Sequence, residues 1–216
     1  GFDGNLATEV GTYLEEFVAQ KFASETGKKV RKCNLSIFND EYPWAIANID
    51  REIVGEDAGL EIKTTTELNL SKFKGGEFPA HYYVQCMHYM AVTGKKKWYL
   101  AVLIGNREFK WFTIERDEDE IKVLMEAEKE FKKLVDSNNP PMADGASSTA
   151  STLTTLYPNS IDTAIGIGAF ERDLDNYFRL KAQVDELSNT IDGIANRIKA
   201  HLGECERGEG EKYKVS

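Results

Sequence analysis

Residues 44–54 and 58–65 are two runs rich in Ile, Ala and Thr, joined through Gly55-Glu56-Asp57-Ala58-Gly59. Short runs of this kind around a Gly-containing turn read as a β-hairpin. This pair constrains the fold most, because the segments on either side have helical period. Residues 5–26 place Val10, Leu14, Phe17, Val18 and Phe22 at helical spacing, and Gly27 supplies a stop. Residues 67–78 are polar, contain Gly75-Gly76 and read as a loop. Pro79 opens a helix that reaches about Val92, and Gly94 closes it. Residues 98–104 form an apolar strand that Gly105-Asn106 turns into a second arm over 108–115. A helix over 117–136 follows, with Ile121, Leu124, Phe131 and Val135 on it.

The character changes after residue 136. Asn138-Asn139-Pro140-Pro141 and the Ser/Thr/Ala tract behind it read as an exposed connection over 137–170. Residues 171–202 then predict a long helix. Tyr177, Val184, Ile191 and Ile198 are seven apart, with Leu180, Leu187 and Ile194 interleaved, which is a coiled-coil seam. Its partner is either the 117–136 helix or a helix of another subunit. Residues 211–216 read as a short strand. The division is thus 1–136 as core, 137–170 as connection, and 171–216 as long helix and terminal strand packing on the core or on a partner subunit.

The chain has 216 residues and a net charge of −9, which argues against a broad DNA-coating surface, since phosphate contacts need Lys and Arg. Basic residues nevertheless cluster at Lys28, Lys29, Arg31 and Lys32 and at Lys95, Lys96 and Lys97, so a locally positive groove is compatible with the total. No apolar run approaches the roughly 20 residues that span a bilayer, and Gly1-Phe2-Asp3-Gly4 reads as no secretion signal. The three cysteines, Cys33, Cys86 and Cys205, form no CxxC pair, which points away from structural zinc and toward a reducing, cytoplasmic compartment.

Asp50 stands in Asn48-Ile49-Asp50-Arg51, and after the turn comes Gly59-Leu60-Glu61-Ile62-Lys63-Thr64. Glu61 and Lys63 are two apart on a strand and emerge on one face, and pairing of the strands brings Asp50 close to Glu61. Two carboxylates suit a hard divalent cation, which keeps its other positions for water and substrate phosphate. Such an ion polarises a phosphoryl oxygen and acidifies bound water, and a neighbouring lysine orients or deprotonates that water. Alternating charges on a strand usually mark a solvated face. Here they sit among Ile49, Leu60 and Ile62, and the opening helix carries a further acid, Glu15, one turn after Gly11.

Four segments together resemble the PD-(D/E)XK nuclease superfamily, and within it the YqaJ-like viral recombinase family that includes phage lambda exonuclease. They are Gly11-Thr12-Tyr13-Leu14-Glu15, Asn48-Ile49-Asp50, Gly59 to Thr64, and the helix Gln85-Cys86-Met87-His88-Tyr89-Met90-Ala91-Val92-Thr93-Gly94. Tyr157-Pro158, the long helix and Tyr213-Lys214-Val215-Ser216 are similar to the tail of longer members. The resemblance implies an α/β (α+β) fold with a restriction-endonuclease-like central mixed sheet flanked by helices. It implies Asp50 and Glu61 as metal ligands, with the Ile62 carbonyl as a third. Lys63 would position or activate water, Glu15 would hold a second metal or its water shell, and Gln85 would hydrogen-bond near the nucleophile. It further implies Mg2+, or Mn2+, and 5′-to-3′ degradation of double-stranded DNA from an end in phage-type recombination. A single-strand annealing partner and a homo-oligomer, a trimer, complete the expectation. Family members commonly open with a segment whose Ser and Arg residues grip the DNA end. The sequence begins after that point, which leaves end recognition without its expected residues.

His81 and His88 share a helix face with Gln85, but their spacing is not that of a zinc pair and no third ligand stands out. Trp44, Trp98 and Trp111 could stack on bases, yet aromatics on strands usually pack the sheet. Gly166-Ile167-Gly168 lacks the context of a phosphate loop. The rival readings are an endonuclease or junction-resolving enzyme of the same superfamily, and a catalytically inactive coiled-coil interaction protein on that fold.

Overall fold

The Asn5 side chain accepts the Thr8 N–H at 3.0 Å and caps the first helix, α1 (Leu6–Thr26), which ends at Gly27 in the left-handed conformation, φ 70°. The structure is a computed structural model that describes residues 5–215. The expectations attached to residues 1–4 and to Ser216 lie outside the described residues. The chain divides into two compact units, Gly1–Ala143 and Asp144–Ser216.

The first unit is built on a five-stranded sheet in the order β1-β4-β5-β6-β7. Its strands are β1 (Val30–Lys32), β4 (Arg51–Ile53), β5 (Ala58–Thr65), β6 (Lys97–Ile104) and β7 (Glu108–Glu115). Only β5 and β6 run parallel, joined by a crossover through α2 (Ala80–Thr93), and the other pairs are antiparallel. Alternation along β6 divides the core between the two faces. Tyr99 and Ala101 pack with Val18, Ala19 and Phe22 of α1 and with Leu60 and Ile62 of β5. Trp98, Leu100, Val102 and Ile104 pack with Met87, Met90 and Ala91 of α2 and with Ile121 and Met125 of α3 (Glu118–Asp136). Gly59 on β5 lies against the Trp98 ring so closely that a Cβ there would come within 2.4 Å of it. Leu60 and Ile62 thus face α1, and Gly59, Glu61 and Lys63 face α2.

The expected strand over 44–54 is two strands. Residues 46–48 form β3, which pairs with β2 (Ser36–Phe38) in a separate two-stranded sheet, and 51–53 form β4. The break falls at Asp50 because its carboxylate takes the Ile62 N–H at 2.7 Å, just beyond the last β4–β5 pair, Arg51 with Leu60. The supposed loop over 67–78 contains a 3-10 helix, Glu67–Phe73, anchored by the buried Phe73. On α3, Ile121 is buried and Leu124 packs against the core of this unit, while Phe131 and Val135 are each 57% exposed.

The second unit holds α4 (Ser147–Leu156), α5 (Glu171–Leu202) and a hairpin of β8 (Gly208–Glu209) and β9 (Lys214–Val215). The helix α4 lies within 137–170, the stretch expected as an exposed connection, and buries none of its residues. Its hydroxyls return to the helix backbone, from Thr152, Thr154 and Thr155 to the carbonyls four residues earlier, so a Ser/Thr-rich composition does not prevent the helix. The terminal strand is shorter than expected and gains a partner at 208–209. Among the described residues no helix is long and apolar enough to cross a membrane.

Candidate active site

The β4–β5 hairpin presents Asp50 and Glu61 side by side, each from a position the backbone fixes. Asp50 closes the end of β4 through its bond to the Ile62 N–H. Glu61 belongs to the buried centre of β5 and is 2% exposed. Lys63, two residues further along the same face, makes a salt bridge with Glu61 Oε1 and lies 5.5 Å from the centre of the Tyr82 ring. The other oxygen, Glu61 Oε2, is buried without a hydrogen-bond partner. Burial and the adjacent Asp50 carboxylate raise the Glu61 carboxyl to about 7, outweighing the opposing effect of Lys63. Burial also raises Asp50; the Ile62 N–H opposes it, Glu15 adds to it, and Lys63 and Arg51 lower it. A repelling carboxylate pair, one member buried with a free oxygen, is a site that gains from a positive ion.

The α1 and α2 helices supply the rim. Gly11 allows close approach, since a Cβ there would lie 3.4 Å from Thr64 Oγ1, and Glu15 follows one turn later. The Glu15 carboxylate turns to Arg51, and Asp50, Glu15, Lys32, Ser36 and Asn48 line one open cleft. From α2, Gln85 Nε2 donates to the Tyr89 hydroxyl at 2.8 Å. The Tyr89 hydroxyl is raised to about 12 by burial and then by Glu61, and the same two causes push the buried Cys86 thiol up. Both side chains therefore sit in the field of the carboxylates. Ile62 contributes its N–H to Asp50, and its carbonyl is the expected third ligand.

The structure brings Asp50, Glu61 and Lys63 together, and Glu15 shares a cleft with Asp50. Among the described residues no three His, Cys, Asp or Glu side chains form a ready metal cage, and Glu15 is held by Arg51. His81 and His88 do not converge on an ion. His81 packs on Tyr82, and His88 bridges Glu128 and the Ile46 carbonyl. Trp98 is buried, Trp44 packs edge-on to Tyr42, and Trp111 meets Phe22 edge-on. Sequence reasoning missed Arg51 and Tyr89. Arg51 had a signal: it alternates with Ile49 and Ile53, and an arginine at an inward-facing strand position needs partners.

Residues 1–96 match the YqaJ-like viral recombinase domain. The chain is 38% identical over 207 residues to the uncharacterised protein YqaJ of Bacillus subtilis (strain 168), covering 94% of this chain and 65% of that protein's length. Among solved structures, the alkaline exonuclease from Laribacter hongkongensis matches with a TM-score of 0.49 and 24% identity, over 64% of this chain and 78% of that one. The phage-related exonuclease from Haemophilus somnus 129PT matches with a TM-score of 0.49 and 17% identity, over 65% and 76%. The match to the YqaJ-like viral recombinase domain covers the part of the chain that contains Glu15, Asp50, Glu61, Lys63 and Gln85, and the similarity to YqaJ runs along nearly all of the chain while spanning 65% of that protein's length.

Proposed function

We propose that this chain is a metal-dependent nuclease that hydrolyses one strand of double-stranded DNA from an end, in the 5′-to-3′ direction, during phage-type recombination. The observation that carries the reading is the Asp50–Glu61 pair, with Glu61 buried, Asp50 half-buried on an open cleft and Lys63 against Glu61. The unbonded Glu61 Oε2 and the mutual repulsion of the two carboxylates fit a divalent cation. Asp50, Glu61 and the Ile62 carbonyl would hold it, as Mg2+ or Mn2+, and it would supply Lewis acidity to a phosphoryl oxygen and acidify a bound water.

The chain's own residues account for the rest of the reaction. Lys63 stands within reach of the carboxylates and orients the attacking water, and its charge opposes the negative charge that grows on the phosphoryl group. Gln85, held by Tyr89, offers a hydrogen bond near the nucleophile. Lys32, Ser36 and Asn48 line the cleft where a DNA strand would pass. The compartment in this reading is the cytoplasm of a bacterial or phage-infected cell. The enzyme works there as a homo-oligomer beside a single-strand annealing protein. The test is cleavage of end-labelled linear duplex with Mg2+, against chelator and Asp50→Ala controls. Release of nucleotides from the 5′ end is expected. Cleavage of closed-circular DNA would make the chain an endonuclease, and no metal-dependent cleavage of any DNA would overturn the reading.

A further inference from the structure

Arg51 and Glu61 are the two charged side chains buried among the described residues, and the site chemistry above uses only Glu61. The Arg51 guanidinium spends its donors on three acceptors. Nη1 donates to Glu15 Oε1 and, at 2.7 Å, to the Asp50 carbonyl, and Nη2 donates to Glu16 Oε2 at 3.0 Å. Arginine does not lose its proton in a protein, so this positive charge is permanent. A site for two cations needs carboxylates for both, held about 3.5–4 Å apart. Beside Asp50, Glu15 is the acid that lines the cleft, and its carboxylate is already engaged.

We propose that Arg51 fills the place of a second cation: it neutralises Glu15, so the site takes a single divalent ion between Asp50 and Glu61. Arg51 is then a positioning residue. It holds the Asp50 carbonyl while the Ile62 N–H holds the Asp50 carboxylate, so the ligand is fixed from both sides. Moving Glu15 toward a metal would strip a buried guanidinium of its least exposed carboxylate partner, since the Glu16 side chain is 64% exposed and the Glu15 side chain 27%. Arg51 therefore turns the helix α1 from a potential ligand donor into a clamp on the metal-binding turn. This inference rests on the nuclease reading.

The test titrates Mn2+ alone into the full chain, followed by calorimetry and electron paramagnetic resonance. Wild type should bind one ion per chain with the spectrum of an isolated ion. Glu15→Gln should keep that stoichiometry and the affinity within about threefold, because Glu15 is no ligand. Arg51→Lys should stay at one ion. Arg51→Met frees two carboxylates and should gain a second, weaker ion. Thermal melts identify which variants fold, and where Arg51→Met does not, wild type and Glu15→Gln decide the matter. Two ions in wild type with a spin-coupled spectrum, falling to one in Glu15→Gln, would overturn the inference and leave the nuclease reading intact. A folded Arg51→Met that still binds one ion would also overturn it. No Mn2+ binding by wild type would overturn both.

Discussion

At the scale of single residues, Lys63 and the two carboxylates touch one another yet should fail differently. Asp50→Ala or Glu61→Ala removes a proposed ligand and should weaken Mn2+ binding by tenfold or more, in keeping with a loss of about 1.4 kcal/mol or above. Lys63→Ala removes a proposed catalytic group and the positive neighbour of Glu61. It should reduce cleavage by about 100-fold or more while Mn2+ still binds. Calorimetry on the three variants checks this, and equal loss of metal affinity in all three would refute the assigned roles. The Glu61 carboxyl gives a second expectation. Burial and Asp50 raise it to about 7, so without metal it carries a proton in mildly acidic solution. Binding requires the carboxylate, so the metal must displace that proton. Apparent Mn2+ affinity should therefore fall as the pH drops below about 7 and flatten above it. Proton release should accompany binding at pH 6.5, read from calorimetric heats in buffers of different ionisation enthalpy. Binding without proton release at that pH would count against the role of Glu61.

Among the elements, His88 ties three together. On α2, its Nδ1 lies 2.7 Å from Glu128 of α3 and its Nε2 3.1 Å from the Ile46 carbonyl of β3. Both partners offer acceptors, and the imidazolium, unlike the neutral ring, can donate to both at once. Glu128 chiefly raises the His88 pKa, with the Ile46 carbonyl adding and burial opposing. A raised folded-state value means that the stabilisation is complete below the unfolded value of about 6.5 and is lost as the pH climbs through the folded one. His88→Gln should cost about 1 kcal/mol at pH 6 and progressively less in alkaline solution, as followed by denaturant melts. A pH-independent difference would mean that the ring acts by packing alone. The same region shows why some of the fold was legible and some was not. The helices α1, α2, α3 and α5 announce themselves through period, α1 and α2 also through their Gly caps, and β5, β6 and β7 through apolar runs. The break at Asp50 was hidden, because a side chain replaces a backbone acceptor there and no propensity encodes that exchange. Three-residue strands such as β1 and β2 are defined by partners distant in sequence, and α4 depends on hydroxyls satisfying themselves on the helix. At the site, the spacing of Glu61 and Lys63 was readable from the strand period. The capture of Glu15 by Arg51 was not, since it joins α1 to a strand 36 residues away.

For the whole molecule, the proposed function raises the question of how a chain of net charge −9 would keep hold of DNA. Much of its clustered basic charge is already paired: Lys28 with Glu56, Arg31 and Lys95 with Glu52, and Lys97 with Glu115. Fewer of these charges would then be free for phosphate contacts, and affinity that depends on such contacts falls steeply with salt. Enclosure of the DNA by an oligomer would replace part of that affinity. On the proposed reading the means of association would be the α5 seam. Tyr177, Leu180, Val184, Leu187, Ile191, Ile194 and Ile198 lie along one stripe of the helix and are each between 41% and 64% exposed. Val184, Ile191 and Ile198 put β-branched side chains in one heptad position while Leu180 and Leu187 put leucines in the other, a pattern that favours pairing between copies. Two measurements follow. Light scattering on the full chain should give an oligomer, and Ile191→Glu should shift it to the monomer without lowering the melting temperature of the nuclease unit. Cleavage of linear duplex should then survive salt added after mixing better than the same salt added before, and this difference should vanish in Ile191→Glu. Closed-circular duplex should remain uncut throughout. A wild-type monomer that cuts circles as fast as it trims ends would refute both the enclosure and the need for a free end. An oligomer unaffected by Ile191→Glu would place the contact on another surface of the chain.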